Sequence, residues 1–220
     1  MLSEWADHVI GNRPKHAFEI ISHDKRPTDN DIESFIRLYI LENIPNFSIE
    51  KPIIFDAIRS YIANALCIEA IDIKLTGSAK LGFSLHPDKW LKDYQKSKSD
   101  LDFFAVSEKL FNFLQEDILR WESDKNITKD GREKLDHVIR TSIERGFIST
   151  KETYKYENSK KCKSILYRAC LKLNKMANEE IIPAKKINGI DIRCYKNYNY
   201  ALRQIKINIK YAIDKNIETA

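Results

Sequence analysis

The sequence predicts a mixed α+β fold, with a small mixed β-sheet flanked by helices and further helices leading the chain. Three observations carry that expectation. Apolar residues recur at helical spacing over most of the 220 residues. Three short runs, 71–76, 101–106 and 189–195, read instead as strands. Glycine and proline are sparse, at six each, which argues against a turn-rich all-β protein.

The elements follow in order. Residues 1–24 suit a short helix interrupted near Pro14. Ile32, Phe35, Ile36, Tyr39 and Ile40 predict a helix over 29–46, capped by Thr28 or Asp29 and ended by Pro45. Pro52 opens a second helix over 52–70, with Ile54, Ala57, Ile58, Tyr61, Ile62 and Leu66 on its buried side. The strand over 71–76 runs into Gly77-Ser78, a polar, Lys-rich loop covers 86–99, and the strand over 101–106 follows. A helix over 108–121 offers Leu110, Phe111, Phe113, Leu114 and Ile118 to the core. Two more helices are expected over 129–145 and 155–176. Strands over 181–184 and 189–195 would form a hairpin around Asn188-Gly189, a favoured two-residue turn. A basic amphipathic helix over 199–215 closes the chain. No repeat or linker divides it, so the expectation is one domain over 1–220. Its parts are helical segments over 1–70 and 108–178, a sheet from 71–107 and 180–196, and a final helix over 197–220.

Composition narrows the class of function. The chain is 43% apolar and 31% charged, which suits a globular protein rather than a disordered one. Its apolar runs fall short of a bilayer span, and the opening Met1-Leu2-Ser3-Glu4-Trp5-Ala6-Asp7 has no basic-then-apolar order. A cytoplasmic protein with no membrane partner is expected. Cys67, Cys162, Cys170 and Cys194 show no CxxC spacing, which suggests reduced thiols and argues against zinc. The net charge of +5 is uneven. Residues 151–220 hold 16 Lys and Arg against 7 Asp and Glu, a net of +9, whereas residues 1–150 net −4. The basic part would attract phosphates, of nucleotide or nucleic acid.

The chemistry concentrates in Ser99-Asp100-Leu101-Asp102-Phe103. Alternate residues of a strand share a face, so Asp100 and Asp102 project together while Leu101 and Phe103 turn to the core. Adjacent carboxylates repel, and a divalent cation removes the repulsion. Upstream, the turn in Leu75-Thr76-Gly77-Ser78-Ala79-Lys80-Leu81-Gly82 can offer backbone N–H groups and a hydroxyl to a phosphate. A third acid, Asp191 in Gly189-Ile190-Asp191-Ile192-Arg193, also sits among apolar residues of an expected strand. Two metal ions holding a triphosphate require about three carboxylates. A lone Asp in a strand usually faces solvent, which is the plain alternative for Asp191; Asp is depleted in strands, so two on one face beside a Gly-Ser turn do not fit that alternative.

Together these segments resemble the signature of the nucleotidyltransferase superfamily of the DNA polymerase beta type. The Gly-Ser turn followed by Ser-Asp-apolar-Asp is also similar to the bacterial oligonucleotide synthases of anti-phage signalling. The resemblance implies the nucleotidyltransferase fold and a magnesium-dependent (or manganese-dependent), template-independent transfer from an NTP or dNTP. The acceptor would be an oligonucleotide, a nucleic-acid end or a protein. By position, Gly77, Ser78 and Lys80 would hold the triphosphate, Asp100 and Asp102 would bind both metals, and Asp191 the metal that activates the nucleophile. The resemblance further implies anti-phage defence or toxin–antitoxin systems, with a neighbouring effector protein as partner. A catalytically inactive nucleotide- or partner-binding module of the same fold is the alternative. One departure stands out: Asp102 follows Ser78 by 24 positions, a long gap filled by the Lys- and Tyr-rich segment 83–99. That segment is expected near the mouth of the site.

Other features are less specific. Lys160, Lys161, Lys163, Arg168, Lys172 and Lys175 stud one expected helix, as a nucleic-acid contact or a solvated face. Tyr195, Tyr198 and Tyr200 could stack on a base, accept a nucleotide, or pack in the core. The five histidines show no ligand spacing.

Overall fold

The structure, a computed structural model, describes residues 14–23, 27–49, 52–95, 99–123, 127–149, 163–178 and 189–217. Four strands form one mixed sheet. β1 (Ile73–Thr76) pairs antiparallel with β2 (Leu101–Val106). β3 (Phe147–Ser149) pairs antiparallel with β4 (Ile190–Tyr195), and β4 lies parallel to β2. The order across the sheet is β1-β2-β4-β3.

Alternation along β2 and β4 assigns a core to each face. Leu101, Phe103 and Ala105 of β2 and Ile190, Ile192 and Cys194 of β4 enter one cluster. It is completed by α3 (Pro52–Leu66), α5 (Glu108–Glu122), α6 (Lys129–Val138) and α7 (Arg168–Asn178). Phe104, Val106 and Tyr195 point the other way, into a second cluster. There they meet α1 (Pro14–His23), α2 (Asp29–Phe35) and α8 (Tyr198–Ile217). The short α4 (Gly77–Leu81) connects β1 to the loop before β2. Helices therefore cover both faces, which is why β2 reads as an unbroken apolar run after Asp102.

Local chemistry sets several boundaries. Thr28 caps α2 through a capping box: Asp31 N donates to Thr28 Oγ1 at 3.3 Å, and Thr28 N donates to Asp31 Oδ2 at 3.0 Å. α2 passes without a break into wider π-type turns over Ile36–Glu42 and stops at Asn43, two residues before Pro45. α3 starts at Pro52, where a missing N–H is harmless.

Some expectations need correction. On α3, Ala57 is exposed and Ala63 is buried instead, because the helix packs on the sheet through Ile58, Ile62, Ala63 and Leu66. Phe113 is 39% exposed, on the outer side of α5. The helix over 129–145 ends in a π-type turn at Ile143. The sequence did not announce β3, whose three residues are too few for alternation to show. Gly146 precedes it at φ +76°, where an added Cβ would lie 2.3 Å from the Tyr200 ring. The first strand and turn of the expected hairpin, over 181–188, lie outside the described residues, as does the start of the helix expected over 155–176. Among the described residues no helix is long and apolar enough to cross a membrane. Cys67, Cys170 and Cys194 are free thiols, and Cys162 lies outside the described residues.

Candidate functional site

The sheet register brings two of the three aspartates together. Asp102 of β2 is the Cα partner of Asp191 of β4, and on its other side of Thr76 of β1. Strands in a sheet lie about 4.8 Å apart, and paired residues project from the same face. The row Thr76, Asp102, Asp191 therefore runs straight across three strands. Asp191 is 6% exposed, whereas Asp102 is half-buried. Like charges directly opposite one another destabilise a sheet. Carboxylates paired in this way are expected where function needs them.

Asp100 stands just before β2, next to Gly189, where a Cβ would come within 3.3 Å of its Oδ1. It belongs to the same end of the strand pair but does not line the cavity described next. Among the described residues, no group of three or more His, Cys, Asp and Glu side chains is gathered tightly enough to hold a metal ion. What the structure brings together is the Asp102 and Asp191 pair, with Asp100 adjacent.

Over the pair opens a cavity of about 460 Å³, within the roughly 300–1,000 Å³ usual for small-molecule sites. Its floor is Asp102, Phe104, Asp191, Arg193 and Tyr195. One wall is Thr76, Gly77 and Ser78, and the facing wall is α8, through Ile205, Asn208, Ile209, Tyr211 and Ala212. Ser84, Leu85, His86 and Pro87 close a third side. Gly77 adopts φ +72°, and a Cβ there would approach Asp102 Oδ2 to 3.1 Å. Only glycine brings this turn so close to the carboxylate without strain.

The segment after Ser78 is folded rather than loose over its described part. Ser84 N donates to Lys92 O at 2.9 Å, and Tyr94 N donates to Gly82 O at 2.8 Å, giving a hairpin-like excursion. Trp90 packs on Phe18 at 5.4 Å, and Lys15 pairs with Asp93 at 2.7 Å, which pins the excursion to α1. Its near arm supplies the third side of the cavity.

Lys80 goes elsewhere. It lies two residues after Ser78, roughly 200° around the helix, and its Nζ donates to the Asn43 carbonyl. It lines a second cavity, at the outer side of β1, and the structure does not bring it to the aspartates. Burial, then the positive charge of Lys74, pushes its amine down to about 8 from the ordinary 10.5.

The three tyrosines separate. Tyr195, 2% exposed, lines the cavity and accepts a hydrogen bond from Arg193 Nη1 at 3.3 Å, while burial raises its hydroxyl. Tyr198 donates to Asp72 Oδ1 at 3.3 Å; burial first, then that carboxylate, pushes its hydroxyl up to about 12. Tyr200 packs on Gly146. The basic helix α7 lies on the opposite face of the sheet from Asp102, so Arg168, Lys172 and Lys175 do not converge on the aspartate cavity. Lys160 and Lys161 lie outside the described residues.

Sequence reasoning missed Arg193, Asn208 and His86. Arg193 lies two residues beyond Asp191, on the same strand face, with its guanidinium 4.8 Å from the centre of the Phe147 ring. Strand period alone would have placed it beside Asp191. Asn208 interrupts the apolar stripe Ile205, Ile209, Ala212 and accepts a hydrogen bond from Gln204 Nε2 at 3.0 Å. A polar residue within a buried stripe is the signal that marks it. His86 had none, because only the excursion's fold aims it at the cavity. Comparison with protein-family models, with curated proteins and with solved structures found no match to this chain.

Proposed function

We propose that the chain is a magnesium-dependent, template-independent nucleotidyltransferase with the nucleotidyltransferase fold, passing a nucleotide from an NTP or dNTP to a hydroxyl acceptor. The observation that carries this reading is the pairing of Asp102 with Asp191 on the floor of a cavity walled by Gly77 and Ser78. Two carboxylates held side by side repel, and a cation shared between them would remove that repulsion. Asp102 and Asp191 would hold magnesium or manganese, with Asp100 adding charge at the same end. The ion, when bound, supplies charge neutralisation for the polyphosphate and acidifies the attacking hydroxyl.

The chain's own residues do the rest. Ser78 donates its hydroxyl to a phosphate oxygen, and Gly77 leaves that oxygen room beside Asp102. Arg193 adds a cation on the same face. α8 and the excursion over Ser84 to Pro87 border the cavity. The acceptor oxygen bonds the α-phosphorus as the bond to the bridging oxygen breaks, and pyrophosphate leaves. The acceptor proton passes to a carboxylate or to water.

Incubation of the full chain with α-labelled NTPs and dNTPs, magnesium and hydroxyl acceptors tests the reading. Labelled product is expected from wild type and not from Asp102→Ala. The second reading is a module that binds nucleotide or a partner without transfer. It is favoured by the absence, among the described residues, of three acids gathered into one metal-holding group. Nucleotide binding with no product from any acceptor would establish it over the first.

A further inference from the structure

The second cavity, at the outer side of β1, has a chemistry of its own. Its volume is about 470 Å³, close to that of the aspartate cavity. The C-terminal end of the π-type turns after α2, the first half of α3, and β1 surround it, and α4 contributes Lys80. Three cations from three elements line it, Arg59 of α3, Lys74 of β1 and Lys80 of α4, against two carboxylates, Glu42 and Asp56.

These cations already act on one another. Lys80 is 4% exposed; its amine donates to the neutral Asn43 carbonyl and feels the positive charge of Lys74. Among the described residues no carboxylate forms an ion pair with it. The Lys74 amine is lowered by burial and then by Arg59, against the opposing charges of Asp72 and Glu42. Arg59 donates to Asp56 Oδ1 at 2.5 Å and lies 5.4 Å over the Phe55 ring. Its Nε is buried and, among the described residues, makes no hydrogen bond. A buried donor without an acceptor is destabilising, and so are like charges held together out of water.

We propose that this cavity binds a small phosphate-bearing anion, seated between Arg59, Lys74 and Lys80. A phosphate group carries about −1.5 to −2 charge at neutral pH and several acceptor oxygens. It would answer the Arg59 Nε, lie against both lysines and fit the space beside Phe55. The site is distinct from the aspartate cavity, because α4 turns Ser78 to one side and Lys80 to the other. It requires no metal and no transfer chemistry, so it stands apart from the function proposed above.

Calorimetric titration of the full chain with pyrophosphate, with AMP and with adenosine, all in EDTA, tests the proposal. EDTA removes the divalent cation that the proposed nucleotide site at the paired aspartates needs. Saturable binding of pyrophosphate or AMP is expected, with adenosine silent; which of the two binds tells an inorganic from an ester source. Lys74→Gln and Lys80→Met should each weaken binding at least about tenfold, whereas Ser78→Ala should leave it unchanged. Lys74 is half-buried, so its variant keeps the test informative if Lys80→Met does not fold. No binding of either phosphate, equal binding of adenosine, an unaffected Lys74→Gln, or a loss in Ser78→Ala would each overturn the site. Binding confined to long nucleic acid, with neither small phosphate saturating, would overturn it too.

Discussion

Two cavities of nearly equal size flank the five-residue helix α4, and their charges are opposite. One has Asp102 and Asp191 on its floor, and the other gathers Arg59, Lys74 and Lys80. Acids and bases placed so near in the chain would ordinarily pair and cancel. Here the turn of α4 keeps them apart, with Ser78 facing the acids and Lys80 among the bases. The difference teaches that the two sides of α4 concentrate charge of opposite sign, two carboxylates on paired central strands and three cations beside the edge strand. On the two proposals above, a cation would answer the acidic side and an anion the basic side.

The largest effect should come from the acidic side. Asp102→Asn should lower nucleotide transfer by on the order of 10²–10³-fold, the usual result of removing one preorganised electrostatic group. The same change relieves repulsion across the strand pair, so urea denaturation without magnesium should show a gain of roughly 0.2–1 kcal/mol. Activity and stability moving in opposite directions is the signature of a functional pair; a loss of both would make Asp102 merely structural.

Gly77 comes next. Gly77→Ala places a Cβ in the left-handed region and 3.1 Å from Asp102 Oδ2. Left-handed backbone costs roughly 1–2 kcal/mol for an ordinary residue. Thermal or urea unfolding should register that loss, and transfer should fall with it because the turn moves off Asp102. A fully stable, fully active variant would remove Gly77 from the site.

The basic side answers to pH. Lys80 titrates near 8 in the folded chain and near 10.5 when unfolded. Between those values the unfolded chain holds a proton that the folded chain has released. Stability should therefore climb as pH rises from about 8 toward 10.5, and stay level with respect to this group below that window. Lys80→Met should flatten the climb, leaving the smaller share due to Lys74, whose amine is lowered the same way. A bound phosphate should flatten it as well, by returning Lys80 toward its ordinary value.

The smallest effect concerns the far wall of the aspartate cavity. α8 is tied to α2 by Lys206, which meets Glu33 Oε1 at 2.6 Å and Asp29 Oδ2 at 3.2 Å, and by Lys210 on Asp29. Lys206 holds the Glu33 carboxyl below its usual range, so this support is present above the ordinary glutamate value and fades as pH falls through the lowered one. Asp29 is exposed and Lys206 and Glu33 are partly exposed, so salt screens these pairs. Glu33→Gln should lower the melting temperature slightly in low salt, and the difference should vanish in high salt.

Much of the architecture was legible because it is written locally. The stripe over Ile32, Phe35, Ile36, Tyr39 and Ile40, the Thr28 cap, Pro52 at a helix start and the strand at Leu101 to Val106 each depend on a few neighbours in sequence. Gly77 and the two close aspartates stood out for the same reason: glycine permits a backbone that other residues resist, and carboxylates in a strand run against propensity. β3 escaped notice because three residues show no period, and Phe113 because its helix has more apolar residues than its buried face can take.

Chain order alone left open which strand lies beside which. That Asp191 sits opposite Asp102 follows from a parallel register between segments far apart in sequence, set by how Ile190, Ile192 and Cys194 pack with Leu101, Phe103 and Ala105. The same packing swings Arg193 onto the cavity floor, and the second core lays α8 across from Gly77 and Ser78. Lys80 has the residue type of a phosphate ligand, yet the angle of α4 carries it into another cavity. Periodicity specifies the face a residue occupies within its own element, because neighbouring side chains set it. What that face meets is fixed by long-range burial, which no short stretch of chain can encode.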